Sequence, residues 1–168
     1  MAHDVFISHS HKDKPIADAI CTNLEVTGVR CWIAPRDIEP GEDWPTAIAR
    51  EIPQSRVMVM VFSSNSNTSD QVYRELFLAA SNNVIIIPFR IEDVKPELRV
   101  GYLLAGTHWL DAMTPPMQKH ISLLVERVKS VIPEAGAGSL EKTPLPTAEP
   151  KIASLKSVAS SRRAVITV

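Results

Sequence analysis

A chain of 168 residues, 45% apolar and with a formal net charge of -1, is long enough for one domain with a full core and short for two. So small a charge gives no global field toward nucleic acid or an acidic surface, and no basic cluster carries interleaved aromatics, so no nucleic acid is expected as a partner. The longest apolar runs, 57–62 and 84–89, fall far short of the roughly twenty residues that cross a bilayer, and the opening MAHDVFISHS lacks a charged-then-apolar leader; a soluble, cytoplasmic chain without a transmembrane segment is expected.

The first strand is expected in DVFIS, residues 4–8. A helix follows, because Ile16, Ile20 and Leu24 recur at four-residue spacing, with Pro15 placed to open it and Gly28 to close it. Cys21 falls in this helix and Cys31 in the next strand, VRCWI at 29–33; without CxxC or Cys/His ligand spacing they read as buried free thiols. APRDIEPGEDW, 34–44, is long, charged and punctuated by Pro and Gly, the pattern of a mobile lid or contact loop, with an ordinary surface turn as the plainer alternative. The helix from Trp44 to Ile52 should stop at Pro53, which removes a donor and clashes with the preceding turn.

RVMVMVF at 56–62 is the third strand and SSNSNTS at 63–69 a polar loop. A helix from about Ser69 to Asn82 sets Val72, Leu76, Ala79 and Ala80 on one stripe. NVIIIPF at 83–89 is the fourth strand, 91–106 leaves a short helix open, and THWL at 107–110 is the fifth strand, with His108 and Trp109 expected to pack against the last helix. That helix carries Met117, Ile121, Leu124 and Val128 on its apolar face.

Strands without polar interruption, separated by helices, predict a parallel sheet covered on both faces: an α/β, flavodoxin-like, doubly wound five-stranded sheet in the order 2-1-3-4-5. The domain should occupy 1–132. From 133 to 168 the texture turns to Pro, Ala and Ser with little periodicity, the composition of a flexible tail. This tail is weakly basic, with Lys151, Lys156, Arg162 and Arg163 and no acid after Glu149; a solvated tail and a weak contact with an anionic surface are both open.

In this topology ligands bind where the connections after strands 1 and 3 diverge, which points to Ser8–Lys14 and Ser63–Ser69. Glu75 lies just beyond. If Thr68 caps the helix with Gln71 at its third position, Glu75 sits about 60° from Val72, at the edge of the buried stripe. Its neighbours at helical spacing, Gln71, Val72, Leu78 and Ala79, are not cationic, whereas Arg74 has Asp70 as a ready ion-pair partner. Glu75 therefore reads either as a boundary glutamate with good helix propensity or as an acid serving the crevice.

Competing constellations are weaker. His9 and His11 form an H-x-H pair without a third ligand at a recognisable spacing, so no metal is expected. Ser8 and Ser10 lack a glycine-flanked elbow and read as donors at a strand end. The six glycines, at 28, 41, 101, 106, 136 and 138, form neither a dinucleotide fingerprint nor a phosphate-binding loop.

DVFISHSHKDK, VRCWIAPRDIEPGEDW, SRVMVMVFSSNSNTSDQVYREL and THWLDA resemble the successive boxes of a Toll/interleukin-receptor (TIR) domain, in one order and spacing over residues 4 to about 131. The microbial variety is the most similar. The family divides between scaffolds that assemble signalling complexes and enzymes that break the nicotinamide–ribose bond of NAD, so the resemblance implies one of two roles. The first is an NAD-consuming enzyme (NAD nucleosidase or ADP-ribosyl cyclase, yielding linear or cyclic ADP-ribose) in immune or antiviral defence signalling. The second is a non-catalytic module recruiting other TIR proteins.

The resemblance places the catalytic carboxylate at Glu75, substrate-binding positions at Ser8, His9, Trp44 and Gln71, and a loop for assembly, including self-association, at Arg36, Asp37 and Gly41. It implies NAD as substrate and no cofactor. Many enzymatic relatives carry an aromatic where this chain has Gln71. The chemistry suits a lone acid: nicotinamide leaves as a neutral molecule from an already cationic ring, so the second carboxylate that ordinary glycoside hydrolysis needs is dispensable.

Overall fold

The computed structural model describes residues 3–132, and the tail expected at 133–168 lies outside them. Strand β1 (Val5–Ser8) is followed by a 3-10 turn at His11–Asp13 and helix α1 (Lys14–Val26), with Pro15 in its first turn. Past the end of α1, Gly28 takes φ +87°, a left-handed value that a side chain would penalise. Strand β2 (Cys31–Ile33) leads through the 34–43 loop to helix α2 (Trp44–Glu51). Asp43 caps α2 by accepting from the Thr46 amide at 3.1 Å, which satisfies one of the donors that a helix start leaves free. Pro53 does not simply end this helix; it sits inside a further 3-10 turn, Ile52–Gln54.

Strand β3 (Val57–Phe62) is central, followed by a short helix α3 (Ser64–Asn67), helix α4 (Asp70–Ser81), strand β4 (Ile85–Arg90), helix α5 (Leu98–Leu103), strand β5 (Leu110–Asp111) and helix α6 (Met117–Val131). The five strands form one sheet in the order β2-β1-β3-β4-β5, every pair parallel, the doubly wound topology read from the sequence. Two expectations shift. Helix α3 occupies the segment expected as a plain loop, and β5 is two residues long, starting after His108 and Trp109 rather than containing them.

Strand β3 divides the core. Val57, Val59 and Val61 face the layer of α1 and α6 with Ile20, Leu24, Ile121 and Leu124. Met58, Met60 and Phe62 face α2, α4 and α5 with Ile48, Val72, Leu76 and Val100. Successive side chains leave a strand on opposite faces, so a fully apolar strand serves two cores at once. Phe6 and Trp32 stack in the second layer with centroids 4.9 Å apart. Trp109 also belongs to this layer, its ring edge-on to Phe62 at 5.0 Å. It thus packs on the face opposite the core of the last helix, contrary to expectation, between Phe62 and the Arg90 guanidinium, which lies 5.6 Å from its ring centre.

Gly41 takes φ +86° in the loop before α2, with nothing within 4 Å of where a Cβ would stand. Gly41→Ala should therefore cost only backbone strain, about 1 kcal/mol, measured as a lowered midpoint in urea with an unchanged slope.

Candidate functional site

The site grows from β1. Phe6 faces the α2/α4 layer, so Ser8, two residues on, faces it too. There its hydroxyl donates to Glu75 Oε2 at 2.6 Å. Helix α4 delivers Glu75 from the other side. Its N-cap is Ser69, which accepts from the Val72 amide at 3.3 Å, not Thr68; the capping box instead lies one turn earlier, where Ser63 and Ser66 exchange bonds across the start of α3. With the helix beginning at Asp70, Gln71 and Glu75 share a face one turn apart, and the Gln71 amide donates to Glu75 Oε1 at 3.0 Å.

Glu75 is therefore not the partnerless acid of the sequence reading. Each oxygen accepts one hydrogen bond, both from neutral donors, and the residue is buried rather than at the edge of the stripe, 7% exposed. Burial pushes its carboxyl up to about 7, against the lowering pull of the Ser8 and Gln71 bonds; a charge in apolar surroundings loses hydration that two neutral donors only partly replace. The expected ion pair between Arg74 and Asp70 does not form. Asp70 takes Arg99 at 2.7 Å, whose guanidinium also lies over the Tyr73 ring.

Glu75 opens onto a cavity of about 200 Å³ lined by Phe6, His9, Pro35, Trp44, Gln71 and further polar side chains. Four of the sequence-expected site residues thus line one concavity, Glu75, His9, Trp44 and Gln71, with Ser8 directly behind the acid. Burial pushes the His9 imidazole below its ordinary range, and its Nδ1 is buried without a hydrogen-bond partner. His9 therefore contributes a wall to the cavity as a neutral ring, with that nitrogen enclosed by protein. Trp44, half exposed, forms the rim.

The loops after β1 and β3 flank the crevice and are tied together. Asp13, buried, accepts from Ser63 Oγ at 2.6 Å and from Asn65 Nδ2 at 3.3 Å. Sequence reasoning had Asp13 and Ser69 inside the two crevice segments but gave neither a role; Ser69 follows from the cap-forming residue type that begins α4, whereas the bond from Ser63 to Asp13 spans fifty residues. It also assigned no role to Lys14, which sits on the cavity rim and pairs with Asp18.

Arg36, Asp37 and Gly41 do not reach the cavity. Arg36 donates to Glu25 of α1 at 2.8 Å and to Asp37, and the Asp37 carboxylate accepts from the Ile33 amide at 2.8 Å. The first half of the loop expected as a lid is thus fastened to α1 and β2, and Gly41 lies exposed in the second half. Among the described residues no group of three His, Cys, Asp or Glu side chains could hold a metal ion, and no helix is long and apolar enough to cross a membrane.

A parallel sheet in this order, with its crevice between the first and third connections, has close counterparts among solved structures. The TIR domains of the activated Roq1 resistosome, which directly recognises the pathogen effector XopQ, superpose with a TM-score of 0.66 at 17% identity over 76% of this chain and 99% of theirs. The TIR domain of the Toll-related receptor TRR-2 from Hydra magnipapillata gives 0.61 at 21% identity, covering 76% and 99%. A metazoan TIR-STING receptor from C. gigas gives 0.59 at 22% identity over 77% of this chain and 41% of the receptor. At these identities the likeness concerns the fold. No curated protein sequence matches significantly. The family model described as the TIR domain matches residues 5–125, spanning β1 to the middle of α6, and the chain belongs to the TIR domain family.

Proposed function

We propose that this TIR domain cleaves the nicotinamide–ribose bond of NAD, with Glu75 as the catalytic carboxylate, in immune or defence signalling. The observation that carries this reading is a buried carboxylate at a cavity, oriented through both oxygens by Ser8 and Gln71 and paired with no cation among the described residues. Such a group, fixed in place before substrate arrives, stabilises positive charge developing on the ribose without reorganising. The cationic nicotinamide ring in turn favours the ionised carboxylate on binding, which offsets the burial cost.

The cavity is smaller than the roughly 300–1,000 Å³ that encloses a whole drug-sized ligand. The reacting end of NAD would enter it, with nicotinamide against Phe6 and under Trp44, and the remainder would lie outward past His11 and Lys14, whose side chains suit a diphosphate. Gln71 acts here on the glutamate: its amide is spent on Oε1, so it positions the acid rather than stacking on substrate.

Incubating concentrated protein with NAD and resolving free nicotinamide by chromatography tests the reading; no release at any protein concentration overturns it. If Gln71 holds the carboxylate in its ionised form, kcat/KM should rise with pH through about 7 as Glu75 loses its proton, and Gln71→Leu should move that rise to higher pH. A several-fold loss at pH 7 that vanishes at pH 9 is the expected signature.

A second reading, a contact module that recruits other TIR proteins or self-associates, is favoured by exposed apolar side chains on α4 and α5. Leu98 is 92% and Tyr102 81% exposed, beside Tyr73 and a half-exposed Phe77, more apolar surface than isolated residues present. It predicts partner binding without NAD turnover, lost on Leu98→Asp or Tyr102→Asp if this patch makes the contact, and on changing Asp37 or Gly41 if the loop does.

A further inference from the structure

We infer that Glu75 makes its cavity selective for charge: it takes a pyridinium ring, the oxidised state of nicotinamide, giving up a proton as it does so, and turns away an uncharged ring of the same shape. The inference rests on the reading of this cavity as the nicotinamide subsite, but not on the bond being cut.

Glu75 belongs to the cavity wall and is 7% exposed, so a ring that enters meets the carboxylate with little water between them. Both of its hydrogen bonds come from neutral groups, the Ser8 hydroxyl at 2.6 Å and the Gln71 amide at 3.0 Å, and each oxygen keeps a lone pair for a further partner. A buried carboxylate in this state lacks the cation that such groups ordinarily acquire. Space and walls suit a cationic ring. A cavity of about 150 Å³ holds benzene, so one of about 200 Å³ accommodates a pyridinium with its carboxamide. Phe6 and Trp44 line the same space, and aromatic faces attract cations.

The other charged and titratable groups around the cavity do not supply the missing partner. Lys14, at the rim, is paired with Asp18. Asp13, in the same loop, accepts from Ser63 and Asn65. Burial keeps His9 neutral, and His11 is exposed. From α4 the neighbour is the neutral Gln71, and from α2 it is Trp44.

Burial holds the Glu75 carboxyl up to about 7, so at pH 6 most of the free protein carries a proton there. An opposite charge within about 4–6 Å lowers a carboxyl by about 1–3 pKa units. Linkage makes the effect reciprocal: the cation binds the ionised form roughly ten- to thousandfold more tightly than the protonated one. The proton passes to solvent as the pyridinium enters. An uncharged ring gains nothing from this exchange, and the dihydropyridine of NADH falls in that refused class.

Calorimetry on the full chain with 1-methylnicotinamide and its uncharged carbon isostere, 3-methylbenzamide, isolates binding from turnover, because neither carries a ribose bond to cut. At pH 8.5 the cation should bind at least about tenfold more tightly than the isostere. Between pH 8.5 and pH 5 its affinity should fall by about ten- to hundredfold while that of the isostere stays constant. At pH 6, two buffers of different ionisation enthalpy should reveal close to one proton released per cation bound. In Glu75→Gln the preference and the proton release should both vanish, with isostere binding retained as a sign that the cavity is intact. If that variant binds neither ligand, proton release at pH 6 that persists in His11→Ala upholds the inference, and its loss there overturns it. Equal binding of the two ligands at pH 8.5, binding of neither by the unmodified chain, or an equally steep acid dependence in Glu75→Gln also overturns it. Nicotinamide release from NAD without the preference would leave the proposed activity standing and remove the charge selection; the preference without release would do the reverse.

Discussion

Replacing Glu75 by glutamine is expected to reduce nicotinamide release by on the order of 10²–10³-fold, the range seen when one preorganised electrostatic stabiliser is lost, while raising stability at alkaline pH. The side chain keeps its shape. Oε1 still accepts from Gln71, and the Ser8 hydroxyl can rotate to accept from the new amide. What disappears is the buried charge. The native carboxyl binds its proton more tightly than an unfolded glutamate does, with a pKa of about 7 against an ordinary value of 4.5. Its contribution to stability is therefore complete below about pH 4.5 and lost as pH rises through about 7. Above pH 8 the glutamine variant should be more stable by on the order of 1–3 kcal/mol, and the two proteins should converge at acid pH. Urea titrations at pH 5 and pH 8.5, with an NAD assay on the same samples, separate the outcomes. Unchanged turnover in the folded variant removes Glu75 from the chemistry; a variant equally stable at both pH values shows that the charge is not costly where it lies.

The other large effect concerns the bond between the two crevice loops. Asp13→Ala should cost about 2–3 kcal/mol, because it strips a buried carboxylate acceptor from Ser63 and Asn65 and leaves their donors without a partner. Asp13→Asn keeps one acceptor and should cost about half as much. Since His9, Ser10 and His11 belong to the loop that Asp13 anchors, KM should rise in Asp13→Ala more than kcat falls: the walls shift while the Ser8–Glu75–Gln71 contact persists. A fall confined to kcat would mean that Asp13 serves the acid rather than the walls.

Much of this was legible in the sequence, for physical reasons that differ from element to element. Strands β1 and β3 read clearly because both faces are covered, so they appear as unbroken apolar runs; β4 shows the same run although Ile85 at its start is exposed. β5 did not, because only Leu110 and Asp111 pair with β4, too little to impose a pattern. Glu75 could be singled out by its place after the third strand, and Gln71 was visible one turn before it; looking only for cations hid the amide as a partner. Ser8 lies 67 residues away in sequence, a contact that needs the topology before it can be seen. Asp70 shows the limit of local rules. A pairing four residues apart on a helix is worth only about 0.2–0.5 kcal/mol, which Arg99, supported by the Tyr73 ring, readily exceeds.

The two sides of the cavity are fastened by different sets of bonds. The His9–Lys14 side is bonded through Asp13 to the segment that leads into α4, so it travels with the glutamate. The Pro35 side is moored by Arg36 and Asp37 to α1 and β2, and the chain between there and Asp43 includes Gly41 in its left-handed turn. Any yielding to a bulky substrate is therefore expected in the 38–43 stretch alone, like a vice with a single moving jaw. The Ser8–Glu75–Gln71 contact lies on the stationary jaw, and Trp44, which opens α2, on the other.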